Sequence, residues 1–240
     1  MILLSVRLFT SALLLAGVAI AQTGETSLFN GRDLEGWMWS SAANPPMPSW
    51  AALDGMLRTT PNKGAQVYLL TKESFSDFDF SFEWNGEAGC NSGVKYRFQG
   101  YWVNSKLVQT PQGPGRIEPV ALEYQIADDE GHADALSDLK HSTAAVYEYW
   151  AAAKSGPVKA NVWHQGRIVA RGLHIEHWLD GKKVVDIELD SAAVQEAFAK
   201  SSRKGSSPLL ARHERRNSPI ALQFHDGNVM FRNLKIRRLL

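Results

Sequence analysis

Residues 77–84 read DFDFSFEW, a strict alternation that constrains the chain more than any other stretch. In an extended backbone successive side chains point to opposite faces. Phe78, Phe80, Phe82 and Trp84 then share one side, and Asp77, Asp79, Ser81 and Glu83 the other. A helix would scatter the same aromatics and acids around its circumference and leave no side fit for a core. The stretch reads as a half-buried strand. Further strands can be drawn at 93–98 (GVKYRF), 121–127 (ALEYQIA), 160–171, 173–179, 182–189, 219–225 and 229–239. Asp-Gly pairs at 180–181 and 226–227 fall between such runs, where hairpins favour residues that accept positive φ.

A strand buried on one face needs a second layer to bury it. Many short strands, with one helix signal at 190–200 (DSAAVQEAFAK, Asp190 or Ser191 as N-cap), predict an all-β fold. The expected architecture is a sandwich or jelly roll of two antiparallel sheets with one short helix near 190–200, forming a single domain over 22–240 without internal repeats. The proline-broken stretches 39–50 and 103–119 read as loops, as does the polar, basic segment 201–219, a solvated connection.

The first 21 residues hold one Arg7, an apolar run from Leu8 to Ile20, and Ala19 and Ala21 ahead of Gln22. This pattern predicts a secretory signal peptide over 1–21. The mature protein is then exported, periplasmic or extracellular, with no membrane span after cleavage. Lys plus Arg number 26 against 25 for Asp plus Glu, so the chain lacks the basic field that nucleic-acid binding requires. The single cysteine, Cys90, excludes an intramolecular disulfide, and its setting, EAGCNSG, reads as a turn or packing position. No sequence feature sets an oligomeric state.

Seven stretches occur in a distinctive order: 27–37 (SLFNGRDLEGW), 53–57 (LDGML), 76–84 (SDFDFSFEW), 91–98 (NSGVKYRF), 122–129 (LEYQIADD), 174–185 (HIEHWLDGKKVV) and 220–239. Together they resemble the 3-keto-disaccharide hydrolase family, from Ser27 to Leu240. The resemblance implies a concanavalin-like jelly roll and an exported bacterial enzyme acting on glycosides already oxidised to a ketone at C3. The ketone acidifies the C2 proton, so a base can remove it and the C1 substituent can leave by β-elimination. Water then adds to the enone, for net hydrolysis. That chemistry needs a base, a group or metal that stabilises the enolate oxygen, and an acid for the leaving group. The chain departs from the family pattern at Leu122 and at the alanines of STAAVY before Tyr147, where glycines are expected.

Strand parity assigns residues to faces. Glu123 and Gln125 share one, opposite Leu122, Tyr124 and Ile126; Asn91, Gly93, Lys95 and Arg97 share another, opposite Val94, Tyr96 and Phe98. If these strands lie in one sheet, the polar faces form a floor for sugar hydroxyls, with cations able to polarise a ketone. The other reading is a structural Arg97–Glu123 ion pair. With the resemblance, Glu123 leads the catalytic candidates, as base, metal ligand or hydroxyl anchor, followed by Arg97 and His177. His177 reads two ways: a proton-transfer group, or a core histidine whose neighbours Glu176 and Trp178 line the cleft. Gln223 and His225 form a second polar pair, and Tyr147 is a candidate for stacking on a sugar ring. A divalent metal would draw on Glu123, Asp128 and His132, carboxylates suiting calcium and imidazole a transition metal; the bland reading is an acidic surface turn. The alternative function is a non-catalytic, lectin-like carbohydrate-binding module on the same scaffold.

Overall fold

The alternating stretch forms the strand Phe78–Gly86, buried at every second residue from Phe78 onward. The computed structural model describes residues 24–39, 50–59, 67–103, 106–109 and 117–240; the expected signal peptide and most of the 39–50 loop lie outside the described residues. Among the described residues the strands, in chain order, are β1 (Thr26–Ser27), β2 (Trp37–Trp39), β3 (Trp50–Leu53), β4 (Met56–Thr59), β5 (Val67–Thr71), β6 (Phe78–Gly86), β7 (Asn91–Val103), β8 (Lys106–Val108), β9 (Ile117–Ala127), β10 (His164–Arg171), β11 (His174–Leu179), β12 (Lys182–Glu188), β13 (Ala221–Asp226) and β14 (Val229–Arg238). Helices α1 (Ala133–Ser137), α2 (Ala192–Lys200) and α3 (Ser207–Arg212) and a 3-10 turn at Leu139–His141 join them.

One sheet runs β12-β11-β10-β6-β14-β4-β3, with β1 added to β14; the other runs β2-β5-β13-β7-β8, with β9 also paired to β7. The architecture is the expected antiparallel jelly-roll sandwich. Its inner faces meet through aromatics: Phe78 of the first sheet packs edge-on against Tyr96 of the second at 6.1 Å, and Phe82 against Tyr124 at 5.4 Å. Each such fully buried side chain contributes about 1.5–3 kcal/mol, so this shared layer holds the sheets together.

The differences from expectation have local causes. Among the described residues three helices form rather than one; α3 lies in the segment expected to be a loop, with Pro208 in its first turn and Leu210 buried. The strand drawn from 160 begins at His164, because Asn161 turns the chain at φ 61°. In the 103–119 stretch, Lys106–Val108 pairs as a strand and β9 starts at Ile117.

The change that matters most for function lies in β7. Between the rungs Tyr96↔Leu122 and Gly100↔Val120, Arg97, Phe98 and Gln99 stand opposite Ala121 alone. Arg97 takes a φ of 57° at this bulge, a conformation that costs a non-glycine residue roughly 1–2 kcal/mol. Parity breaks there. Phe98, expected opposite Lys95, packs instead with Tyr68, Leu70 and Ala221 on the outer face that carries Lys95.

Candidate active site

On the outer face of the second sheet, side chains line up in rows across paired strands. One row crosses Tyr68 on β5, Gln223 on β13, Gly93 on β7 and Gln125 on β9; another crosses Leu70, Ala221, Lys95 and Glu123. Gly93 leaves a gap in the first row, and the Glu123 carboxylate fills it. A Cβ added at Gly93 would strike Glu123 Oε1 and stand 3.0 Å from both Cγ and Cδ. Lys95 Nζ donates to Glu123 Oε2, with both side chains 6% exposed. Beside them Gln125 Nε2 donates to Asn91 Oδ1 at 3.4 Å, while the buried Gln125 Oε1 has no partner. An unpaired buried acceptor costs about 1–3 kcal/mol, a cost that a donating ligand hydroxyl would remove.

Among the described residues, Tyr147, Arg203, Glu118 and His225 complete the lining of this recess, which encloses about 60 Å³, room for a few waters. Arg203 lies over the Tyr147 ring at 5.0 Å and pairs with Glu118 at 3.2 Å. Burial alone would depress its pKa, but the fields of Glu123, Tyr147 and Glu118 outweigh that and hold the guanidinium above the ordinary arginine range. Tyr147 Oη donates to Asp134 at 2.9 Å; burial, together with that carboxylate, pushes the phenol up. His225, at the rim, has a side chain 36% exposed, with Nε2 3.7 Å from Asp226.

Glu148 anchors the arm that carries Arg203. Its Oε1 accepts from Ser201 Oγ at 3.0 Å, Ser202 N at 3.0 Å and Ser202 Oγ at 2.8 Å, and its Oε2 meets His141 Nε2 at 3.2 Å. Burial would raise this carboxyl, but the hydrogen bonds prevail and hold it below the usual range.

The structure thus brings together Asn91, Lys95, Glu123, Gln125, Tyr147, Gln223 and His225. Four other expected residues lie elsewhere. Arg97 is turned away by the bulge, and its Nη2 donates to Asp77 at 3.2 Å and to the Gly172 carbonyl at 3.0 Å. His177 is fully buried between the sheets, with Nε2 2.7 Å from Tyr96 Oη and Nδ1 2.9 Å from the Ala144 carbonyl. Burial pushes its pKa down to about 4, so it is the neutral core histidine of the second reading. Glu176 and Trp178 leave β11 on the outer face of the first sheet. There Trp178 Nε1 donates to Glu176 at 2.7 Å and Arg167 lies over the indole at 5.1 Å. The recess belongs to the other sheet, so neither face of β11 reaches it.

The metal candidates do not converge. Asp128 accepts from the backbone N–H of Gly89 at 2.7 Å and of Glu130 at 3.1 Å, and His132 caps α1 by accepting from Asp134 N at 3.2 Å. Both are turn-forming residues, and Glu123 is held by Lys95, so this trio does not fit a shared ion. Among the described residues, potential ligand atoms gather within 4.8 Å at His174, Glu176 and Asp186, on the outer face of the first sheet. Lys183 already pairs with Glu176 and Asp186 there.

Among the described lining residues, Tyr68, Glu118 and Arg203 are not marked by the sequence. Tyr68 stands in VYLLT, whose alternation is too brief to mark a face. Glu118 and Arg203 fall in stretches that read as loops, and nothing local marks either one as facing Glu123.

A jelly-roll sandwich with a polar recess on one outer sheet face defines the class, an antiparallel β-sandwich protein with a candidate site on that face. The chain belongs to the family of 3-keto-alpha-glucoside-1,2-lyase-like domains, whose sequence model matches residues 24–237. Two crystal structures from Parabacteroides distasonis ATCC 8503, each of a protein provisionally named a glycosyl hydrolase, share the fold. One is 21% identical with a TM-score of 0.73, covering 91% of this chain and 95% of that one. The other is 24% identical with a TM-score of 0.64, covering 90% of this chain and 100% of that one. No curated protein matches the sequence. None of the helices among the described residues is long and apolar enough to cross a membrane.

Proposed function

We propose that this protein is an exported enzyme, periplasmic or extracellular, that cleaves glycosides carrying a ketone at C3 of the sugar. The observation that carries the reading is the buried Lys95–Glu123 pair folded over Gly93 beside the unpaired Gln125 Oε1. It concentrates a proton acceptor, cations and a vacant hydroxyl acceptor at one spot. Glu123 takes the C2 proton; the electron pair left on C2 delocalises onto the C3 oxygen as an enolate, facing Lys95 and Arg203. Collapse of the enolate forms the C1–C2 double bond and expels the C1 oxygen, which takes a proton from His225. Water then adds at C1 and gives a proton to His225, while C2 regains the proton held on Glu123, completing a net hydrolysis with both groups restored. Positioned base catalysis contributes typically ~10²–10⁴-fold and an oriented donor at a developing oxyanion ~10²–10³-fold, so both roles are needed for a useful rate. Asn91, Gln125 and Gln223 hold sugar hydroxyls, and Tyr147 borders the ring.

The test incubates purified protein with a 3-keto glucoside and with its unoxidised parent, with and without a chelator. Aglycone release from the keto sugar alone, unaffected by the chelator, is the expected result. Binding without release from either would make the protein a lectin-like module, and release from the parent alone would make it an ordinary glycosidase. Glu123→Gln should lower kcat by about 10²–10⁴-fold in a folded protein; full activity would remove Glu123 from the reaction.

A further inference from the structure

Arg97, displaced from the recess, lines a second and smaller cavity behind the same sheet. Its side chain is 4% exposed, yet only Nη2 is engaged; Nε and Nη1 are buried without partners. Among the described residues, Arg215, Arg216 and His213 join it in the lining with Gln99, a glycine and leucines, and none of these carries a carboxylate. Asp77 is Arg97's acidic partner, but it stands outside the cavity and also accepts the Gly172 N–H at 3.0 Å. His213 is held neutral, its pKa lowered chiefly by burial, and its Nε2 lies 3.3 Å from the Leu189 carbonyl. The cavity therefore has an excess of positive charge, unused donors and partly apolar walls.

We propose that it binds a single monoatomic anion of the halide class. Size selects the ligand: the enclosed space is about 10 Å³, room for one water-sized occupant and too little for phosphate, sulfate or a sugar acid. Charge selects an anion over water, because a halide that accepts from one of the unpartnered N–H groups of Arg97 offsets the cations around it, whereas water brings no charge. Leucine walls suit a weakly hydrated ion. The bound anion would also brace the bulge at which Arg97 holds its positive φ.

The test measures Tm as gluconate is replaced by chloride or bromide at constant ionic strength, and locates bromide by anomalous scattering in crystals of the unaltered protein. At about 0.3 M halide we expect a saturable rise on the order of 3 °C, together with an anomalous peak beside Arg97. Arg97→Met should lose the halide-dependent rise. A Tm indifferent to halide, a cavity without the anomalous peak, or an Arg97→Met variant that keeps the full gain would overturn the proposal. Should that variant fail to fold, the two measurements on the unaltered protein decide the matter alone.

Discussion

Replacing Gly93 by alanine tests the recess at its tightest point. The added methyl would occupy the space of the Glu123 carboxylate, within 3.0 Å of Cγ and Cδ and closer still to Oε1. The carboxylate ends a flexible side chain and can swing aside, which limits the steric penalty but takes the acceptor out of the recess and away from Lys95. Overpacking costs about 1–3 kcal/mol, and alanine recovers roughly 0.5–1 kcal/mol of the strand penalty of glycine. The net loss is then no more than about 2.5 kcal/mol, a fall in Tm of less than about 10 °C for a chain of this size. Displacing a catalytic group by about 1 Å can cost on the order of 10²-fold in rate. Gly93→Ala should therefore remain folded while kcat/KM for a 3-keto glucoside drops by about that factor. Calorimetry and steady-state kinetics on one preparation separate the two effects. Activity within about twofold of the parent, or a crystal structure with Glu123 unmoved, would refute the reasoning.

Three further outcomes follow from the same geometry. Glu148→Ala leaves the Ser201 and Ser202 donors without their acceptor; it should destabilise by about 1–3 kcal/mol and lower kcat/KM, whereas Arg203→Ala should show the rate defect with a smaller loss of Tm. His177 has a folded pKa near 4 against about 6.5 unfolded, so the unfolded state takes up the proton first as pH falls. Stability is then full above pH ~6.5 and declines toward pH ~4 by up to about 3 kcal/mol. His177→Leu, though less stable at neutral pH, should lack that slope in urea midpoints measured across the window. Burial pushes the Cys90 thiol up to about 12; the folded protein should resist iodoacetamide at pH 8 and react only in denaturant.

Much of the sandwich was legible because strand parity is a local property. The aromatics of β6 and the division of β9 into Leu122, Tyr124 and Ile126 against Glu123 and Gln125 follow from consecutive residues and a period of two. The same rule grouped Asn91, Lys95, Gln223 and His225 with polar faces, and these residues do line one recess. Parity has no register beyond its own strand, however. It carried Arg97 along with Lys95 because a bulge cannot be seen without the partner strand. For β11 it could not say that Glu176 and Trp178 face solvent on the other sheet.

By itself the sequence determined that alternating strands would bury one face in a sandwich and that Glu123 and Gln125 would turn away from its core; both depend only on neighbouring residues. Tertiary structure decided which polar faces meet. It sends Arg97 through the bulge to a separate cavity, seals His177 against Tyr96, and delivers Arg203 to Glu118 and Tyr147 on an arm anchored by Glu148. The physical reason is that these placements depend on rungs, bulges and charges contributed by segments far apart in the chain, which become neighbours only when the sheets close.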